Sequence, residues 1–480
     1  MSNYTQLKFP DQLFEDNYVA PHVEVKPGEI KINTGMNGFV QTGDSVESFR
    51  DFNKNKKNQN EPKMKMIRFP VKVLNPEKPV FCPECGAFLK KDGIAHSDVF
   101  HLPYGHARTV LDVERQRYEC TNPNCRVSFS EEIPFKDPKH KVTKALRTFI
   151  EDLLSEPVIT LKMTSQIARV HKTIVKEIDK ERLIKEYTVN GEGKELKRPT
   201  EYARYLGVDE FLLHKGNEYA TVILNLENGH VLRLFHTKSK ENIYTFMDWV
   251  GDDWMKHVEA VACDMNADFE SAFRARYPHI KTVFDHFHIV KNFNDKVITE
   301  IRKDEYRRLM SEGRDEEAKH LKGARYILTS SRATLEAHDA AIGTVIKEGS
   351  TLFDMPPVIR KSELMPRYEA LLKENRLLFT ADLVKEQLDE AYKTTDSKKM
   401  SKLIGHIIGV CYATGNKHFK WFGNMLKNHL HGILTHAELQ LSSAKVEGTN
   451  RKIKTIRWQS YGFGDDEYFF LKVIDASRHH

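Results

Sequence analysis

Three acidic residues lie in sequence contexts that could bring them into one site. Asp209 and Asp264 each end a short apolar run of the kind that forms a buried strand, and Glu447 opens a basic segment that contains an asparagine. Carboxylates at the ends of neighbouring buried strands repel each other, and desolvation adds to the cost of keeping them charged. Divalent cations neutralise such a cluster, and two magnesium or manganese ions about 4 Å apart would clamp a phosphodiester for in-line attack. The three residues are therefore predicted to form a catalytic two-metal site.

The choice of these three among 68 acidic residues rests on their context. Strand side chains alternate between the two faces of a sheet, so Glu210 should face away from Asp209. Asp268 fits better in the first turn of a helix, where the helix dipole favours an acidic residue. At each of the three positions, the alternative is a carboxylate that only caps a turn or a helix. The sequence leaves this alternative most open at Glu447.

Polar and basic side chains near the second and third acids could hold a nucleic acid. His288, in the motif Asp-His-Phe-His, could orient a phosphate or could only hydrogen-bond to the sheet edge, and both interpretations are open. Asn450 stands three residues after Glu447 and therefore on the same face of a helix. Cationic side chains beside the acids would neutralise phosphates. We predict DNA contacts from His288, Lys291, Asn450, Arg451, Lys452 and Lys454.

Four cysteines form two close pairs that 34 residues separate: Cys82 with Cys85, and Cys120 with Cys125. Two such loops present four thiolates in the tetrahedral arrangement that suits structural zinc. The second pair is wider than the commonest spacing. Four unrelated thiols are the alternative, and ligation by the intervening His96, His101 or His106 is disfavoured because four sulfurs complete the shell. The pattern therefore predicts a zinc ribbon.

Residues 163–178 have the pattern of a helix-turn-helix. The residues expected to pack inward are Ile167, Ala168, Val170, Ile174, Val175 and Ile178, and Ala168 is small where the two helices approach most closely. The second helix would present four side chains to DNA: His171, Lys172, Thr173 and Lys176. An ordinary helical hairpin is the alternative.

The periodicity changes to that of strands between 205 and 290. Three strands at 205–211, 219–226 and 230–235 precede a helix, a strand that ends at Asp264, a second helix and a strand at 282–287. In a ribonuclease-H-like sheet the first and fourth of these strands are neighbours, which would bring Asp209 and Asp264 together. From about 290 to 440 the pattern is helical and amphipathic, with a break at 355–357.

The predicted fold class is multidomain α+β. The expected divisions are a flexible N-terminal arm or linker (1–66), a zinc ribbon (67–138), a helix-turn-helix domain (139–200), the first part of a ribonuclease-H-like catalytic core (201–292), a large all-helical insertion (293–440) and the C-terminal part of the core with Glu447 (441–480).

The composition is that of a globular protein with several domains, since 480 residues are 40% apolar and 30% charged. A net charge of +6 indicates a nucleic-acid partner only weakly, because basic residues must cluster to matter. No run approaches the roughly 18 apolar residues of a membrane span. The first residues lack the apolar core of a secretory signal. A cytoplasmic location is therefore the default prediction.

The order of these motifs resembles the ISL-three family of bacterial insertion-sequence transposases, from about residue 80 to the C-terminus. The resemblance rests on the zinc ribbon, the helix-turn-helix, and the motifs Gly-Val-Asp-Glu, Cys-Asp-Met, Phe-Asp-His-Phe-His-Ile-Val-Lys and Val-Glu-Gly-Thr-Asn-Arg-Lys-Ile-Lys. The family often has Ser-Asn-Gly-Xaa-Xaa-Glu before its glutamate, and this chain has Leu-Ser-Ser-Ala-Lys-Val-Glu.

The resemblance implies a DDE transposase whose ribonuclease-H-like core contains a helical insertion. It implies that Asp209, Asp264 and Glu447 hold two magnesium or manganese ions, and that the N-terminal domains read the terminal inverted repeats. The implied partners are double-stranded DNA, at the element ends and at the target, and a second copy of the chain. Trp421 could stack on an unpaired base, although an aromatic residue in a helical region is more often core.

Two other functions compete with this interpretation. A DNA-binding regulator derived from a transposase would not need three intact acids. A cleavage-only nuclease of the ribonuclease-H class would have the same metal site, so its sequence would not differ at these positions.

Overall fold

The computed structural model describes residues 23–26, 29–32, 38–50, 64–156, 158–214, 216, 218–265, 267–284, 286–342, 363–441, 444–459 and 464–478. These residues divide into two compact units. The first comprises described residues within Met1–Lys197 and Ile456–His479, and the second comprises those within Arg198–Thr455. The sequence predicted that all of 441–480 belongs to the catalytic core. In the structure, the described residues after 455 belong instead to the first unit.

The first unit is built on a mixed β-sheet around a long antiparallel hairpin. Strands β5 and β7 run parallel, β6 and β7 form the hairpin, and β1 with β2 form a separate two-stranded sheet. The strands are β1 (Val23–Lys26), β2 (Glu29–Ile32), β3 (Phe39–Gln41), β4 (Val46–Arg50), β5 (Met64–Val73), β6 (Leu89–Tyr104), β7 (Ala107–Cys120) and β8 (Ser128–Ser130).

Part of the segment predicted to be an arm belongs to this sheet. Strands β3 and β4 both pair with β5, and Phe39 is almost fully buried in the sheet core beside Phe69 and Leu111. Burial of this aromatic side chain stabilises β3. The strand is short and the sequence around it is polar, so the sequence pattern did not predict it. Within the predicted arm or linker, residues 51–63 lie outside the described residues.

Three helices follow the sheet in the first unit: α1 (Lys144–Ser155), α2 (Leu161–Ile167) and α3 (Lys172–Tyr187). Thr143 and Thr160 cap α1 and α2 through their hydroxyl oxygens, which satisfies amide groups that the helices leave free. The C-terminal helix (Asp466–Arg478) packs against α3 through a buried network centred on Asp179.

The second unit contains a five-stranded sheet in the order β11-β10-β9-β12-β13. Its strands are β9 (Tyr205–His214), β10 (Glu218–Asn225), β11 (Val231–His236), β12 (Ala260–Cys263) and β13 (Lys281–Val283). The first three form an antiparallel meander, and β12 runs parallel to both β9 and β13. The predicted adjacency of the strands that carry Asp209 and Asp264 is therefore present.

The last predicted strand, at 282–287, is wrong in its second half. The strand ends at Val283, and a helix begins at His286. Ile289 and Phe293 recur at a spacing of four and are both fully buried, which is the pattern of one helix face. His288 therefore lies on a helix and not at the end of a strand.

The remaining helices of the second unit are α4 (Lys240–Val250), α5 (Asp252–Met255), α6 (Ala267–Arg276), α7 (His286–Phe293), α8 (Thr299–Ser311), α9 (Asp315–Leu321), α10 (Arg325–Thr329), α11 (Arg332–Ile342), α12 (Leu364–Glu374), α13 (Arg376–Lys393), α14 (Ser397–Ala413), α15 (Lys417–Asn428), α16 (Leu430–Leu439) and α17 (Ala444–Gln459). A π-helical turn, Asn294–Ile298, connects α7 to α8.

The helical segment predicted from 293 to 440 has its own apolar core. Phe293, Leu388, Ile404, Phe419 and Phe422 are buried in it. The predicted break at 355–357 lies outside the described residues. Cys263 and Cys411 are buried, as expected of isolated core cysteines. None of the helices in the described part of the chain is long and apolar enough to cross a membrane.

Candidate active site and zinc centre

The two aspartates are brought together by the register of β9 and β12. Val208 lies opposite Cys263 in this parallel pair, so Asp209 and Asp264 follow at neighbouring positions. Each carboxylate accepts a hydrogen bond from the next backbone amide, from Glu210 at 2.8 Å and from Met265 at 2.7 Å. The two side chains thereby lie where the pairing of β9 with β12 ends.

The local charges agree with the repulsion expected of such a pair. Burial raises the pKa of Asp209, and the charge of Asp264 raises it further. Hydrogen bonds from the Glu210 amide and from Asn450, with the nearby His288, act in the opposite direction but do not cancel the shift. The folded protein therefore disfavours the charged form of Asp209, which a bound cation would stabilise.

Helix α17 brings Glu447 towards the aspartates because a glycine lets the helix approach the sheet closely. A Cβ atom on Gly207 would lie 2.8 Å from Val446 Cγ2 and 2.9 Å from Leu226 Cδ2. Asn450 Nδ2, one turn beyond Val446, donates to Asp209 Oδ2 at 2.5 Å. Glu447 lies between these two contacts, and its carboxylate pairs with Arg451 at 2.5 Å.

The three acids line one cleft of about 350 Å³. The predicted residues that line it are Asp209, Asp264, Glu447, His288, Lys291, Asn450, Arg451 and Lys454. Lys452 is exposed but does not line the cleft. Four lining residues were not predicted as part of the site: Glu210, Tyr219, Phe269 and Phe287.

Glu210 also lines the cleft, although it was predicted to face away from Asp209. Pairing between β9 and β12 ends at Val208, so the edge of β9 beyond this point borders the cleft. A long side chain can then reach the rim from the opposite face of the strand. Asp268, the other competitor, lies in the first turn of α6 as predicted.

His288 contacts an acid of the site. Its Nδ1 lies 3.4 Å from Asp264 Oδ1, and its side chain is largely buried. Lys291 follows one turn later on α7 and is exposed in the cleft. Helix α7 thus places one side chain against the second aspartate and one cation at the cleft wall.

Carboxylate oxygens are the donors that magnesium and manganese prefer. Within the described residues, only the four cysteines place three or more potential ligand atoms within 4.8 Å of one another. The oxygen atoms of the three carboxylates therefore do not all approach one another this closely. Glu447 is engaged by Arg451. A metal ion at all three acids would therefore have to draw Glu447 away from this ion pair.

Replacing Gly207 with alanine should lower catalytic activity strongly with a smaller effect on folding. The new Cβ would displace α17, and a shift of about 1 Å in a reacting group can cost roughly 10²-fold in rate. Overpacking of this kind costs typically about 1–3 kcal/mol of stability. The rate of the DNA reaction measures the effect on activity, and the thermal unfolding temperature measures the effect on folding.

Gly405→Ala is the matched control, since a Cβ at this exposed position in α14 meets nothing within 4 Å. This variant should react at the wild-type rate. Full activity of Gly207→Ala would contradict the close approach of α17 to β9.

The four predicted zinc ligands form one cluster in the first unit. Their sulfur atoms all lie within 4.8 Å of one another, with Cys82 and Cys125 at 3.7 Å and Cys85 and Cys120 at 3.4 Å. The residue after each pair, Gly86 or Arg126, has a positive φ, of 71° and 50°. These turns direct backbone amides at the sulfurs, and the Ala87 amide, together with hydrogen bonds from the neighbouring thiols, lowers the pKa of Cys85 to about 7. The cluster supports structural zinc.

Cys120→Ser should lower the zinc content from about one ion per chain to well below one, because the tetrahedral shell loses a thiolate. Atomic absorption of the purified protein measures this. Cys411→Ser removes a buried cysteine outside the cluster and should leave zinc unchanged. Equal zinc loss in both variants would contradict the assignment.

The predicted helix-turn-helix residues lie on α2, α3 and the turn between them. Ala168, Val170, Val175 and Ile178 are buried, as predicted, and Ile174 packs partly buried against them. The prediction that Ile167 packs inward is wrong, because its side chain is 39% exposed at the end of α2. His171, Lys172 and Thr173 are exposed, whereas Lys176 contacts Asp465 and the Tyr468 ring.

Comparison with known proteins identifies the family. A family model described as a transposase, of the ISL3 group, matches residues 206–473, more than half of the chain. A second model, described as the zinc finger of the transposases IS204, IS1001, IS1096 and IS1165, matches residues 78–125. The transposase for insertion sequence element IS1001 of Bordetella parapertussis is 27% identical over 406 residues, which cover 83% of this chain and 89% of that protein. The resemblance seen in the motifs is confirmed, and the chain belongs to the ISL3 family of transposases.

Proposed function

We propose that this transposase binds the terminal inverted repeats of its insertion sequence and catalyses metal-dependent DNA cleavage and strand transfer at Asp209, Asp264 and Glu447. The observation that carries the proposal is the shared cleft, which two aspartates on neighbouring strands line together with a glutamate on α17, at the point where the pairing of β9 with β12 ends. The matched transposase region contains all three residues, which supports their assignment.

The proposed fold of the second unit is ribonuclease-H-like. Three antiparallel strands followed by two parallel strands, with helices between β11, β12 and β13, support this. Helices α8–α16 would be the insertion that separates Glu447 from the aspartates in the sequence. The arrangement explains why the third acid lies 183 positions after the second, at 447 and 264.

Asp209, Asp264 and Glu447 would hold two magnesium or manganese ions, which when bound activate the attacking oxygen and stabilise the leaving oxygen. The protein's own groups have distinct roles around them. His288 supports the orientation of Asp264 through their 3.4 Å contact. Lys291, Arg451 and Lys454 give the cleft cationic walls that suit a phosphate backbone.

The zinc ribbon and the helices α2 and α3 would read the DNA ends, with α3 as the recognition helix of a helix-turn-helix. Exposed His171, Lys172 and Thr173 at the start of α3 support this, since helix N-termini favour phosphates. His171 also caps α3, because its Nδ1 accepts from the Thr173 amide at 3.3 Å. Lys176 would contribute less, since Asp465 and Tyr468 already engage it. Paired transposon ends favour a dimer or larger assembly on DNA.

The proposal is tested with a labelled duplex that carries the end sequence of the protein's own element, a supercoiled target and Mg²⁺ or Mn²⁺. Metal-dependent nicking at the element terminus and joined products are expected. Binding without any cleavage would favour a regulator, and cleavage without joining would favour a nuclease. Failure to bind the element ends would contradict the proposal.

The DNA-reading role is tested separately by competition between end DNA and unrelated DNA. Lys172→Ala with Thr173→Ala should reduce the preference for end DNA. Lys399→Ala, an exposed lysine on α14 and outside the proposed DNA-reading helices, is the control and should keep that preference. An unchanged preference in the double variant would assign sequence recognition to another part of the protein.

A further inference from the structure

The side chain of Asn450 is the most unusual polar group in the cleft. Its amide nitrogen donates to Asp209 Oδ2 at 2.5 Å. Its oxygen, Oδ1, is buried and has no hydrogen-bond partner in the described part of the chain. One half of the carboxamide is therefore committed to a predicted metal ligand, and the other half is unpaired.

The orientation of this carboxamide follows from its neighbour. If nitrogen and oxygen were exchanged, two oxygens would face each other at 2.5 Å, which is repulsive when Asp209 is charged. The amide must therefore point to Asp209, and the oxygen is left without a partner. A buried oxygen of this kind costs about 1–3 kcal/mol. Such groups in native proteins often mark a ligand or a functional role.

The backbone around Asn450 is fixed by packing. Val446, four residues earlier on α17, lies where Gly207 of β9 has no side chain. The contacts of Val446 and Asn450 with β9 lie on either side of Glu447 along the helix. Asn450 thus holds the second point at which α17 meets the strand that carries Asp209.

We propose that Asn450 is a positioning residue of the metal site and not a DNA contact. Its amide fixes the Asp209 carboxylate relative to Glu447, and its oxygen pairs with a hydrogen-bond donor that enters with a hydrated divalent cation. This inference rests on the proposed function, because it requires a metal ion at Asp209. It also reassigns a residue that the sequence analysis placed among the DNA contacts.

The test is calorimetric titration of Mn²⁺ into the full-length protein without DNA, for wild type, Asn450→Ala, Asp264→Asn and Thr455→Ala. Removing a partner that orients a metal ligand typically weakens metal binding about 10- to 100-fold, and this range is expected for Asn450→Ala. Thr455 is exposed on the same helix, and its variant should bind Mn²⁺ like wild type. Binding of end DNA without added Mg²⁺ or Mn²⁺ should be unchanged in Asn450→Ala.

Thermal unfolding supplies a readout that a purely structural role would not give. Without metal, Asn450→Ala should unfold close to the wild-type temperature, because loss of the unpaired oxygen offsets loss of the hydrogen bond to Asp209. The rise in unfolding temperature on adding Mn²⁺ should be smaller than in wild type.

Two results would overturn the inference. Wild-type affinity for Mn²⁺ with weakened binding of end DNA would make Asn450 a DNA contact. A lower unfolding temperature without metal, with wild-type affinity for Mn²⁺, would make it a residue of the fold. A different result would contradict the proposed function, namely that Asp264→Asn binds Mn²⁺ as wild type does. That result would also contradict the inference about Asn450.

Discussion

Asp264→Asn is expected to lower the rate of DNA-end cleavage by about 10³-fold or more, since a metal ion supplies several kcal/mol of charge stabilisation to the transition state. Asparagine has nearly the same shape, and its oxygen can still accept from the Met265 amide as Asp264 does. The substitution therefore removes charge without removing the local hydrogen bond.

The stability of this variant should not fall. The charge of Asp264 adds to burial in raising the pKa of Asp209, so its loss relieves a repulsion in the folded state. Single-turnover cleavage of labelled end DNA, with thermal unfolding beside it, measures both quantities. Asp209→Asn should show a comparable loss of rate with retained DNA binding.

Asp268→Asn is the matched control, because Asp268 lies four residues away in the first turn of α6 and does not line the cleft. It should cleave at close to the wild-type rate. A large loss in Asp268→Asn, or normal cleavage by Asp264→Asn, would show that the wrong acid had been assigned.

Asp179→Ala is expected to destabilise the first unit by about 3–5 kcal/mol, the usual cost of removing one partner from a buried ion pair. Asp179 is fully buried. Its Oδ2 accepts from the Tyr468 hydroxyl at 2.6 Å and from Lys472 at 3.0 Å, and its Oδ1 accepts from Arg182 at 3.0 Å. The alanine variant would leave these donors without that acceptor.

Chemical denaturation followed by circular dichroism measures this loss. Glu186→Ala is the control on the same helix, because Glu186 is exposed, and substitutions at such positions usually stay within about 0.5 kcal/mol. Equal stability of the two variants would contradict the role of this network in holding the C-terminal helix against α3.

The sequence predicted the parts of the site that local patterns encode. The strand periodicity placed Asp209 and Asp264 on neighbouring strands, and β9 and β12 are adjacent as expected, although β9 continues past Asp209 to His214. The spacing of the cysteines predicted the four-sulfur cluster. In each case the residues that make the feature are close in sequence, or belong to strands whose order a simple topology determines.

Features that depend on distant packing were not predicted. The close approach at Gly207 was not predicted, because Val446, which packs against this glycine, lies 239 positions later in the sequence. The pairing of Glu270 with His431 at 2.6 Å joins α6 to α16 in the same way. One residue of such a pair has no local pattern that identifies its partner.

Two errors came from a rule applied beyond its range. Alternation along β9 left Glu210 out of the site, but the strand has lost its neighbour β12 at that point and Glu210 lines the cleft. The apolar residues after Val283 were assigned to a strand, although Ile289 and Phe293 already had helical spacing. A better prediction would have weighed the length of each apolar run against its period.

The central claim is that Asp209, Asp264 and Glu447 hold the catalytic metal ions. Anomalous scattering from Mn²⁺ in crystals of the protein bound to its own end DNA tests it most directly. The account predicts manganese peaks in contact with oxygens of all three carboxylates, with Glu447 released from Arg451. Peaks at Glu210 in place of Glu447, or manganese bound away from the cleft, would contradict it.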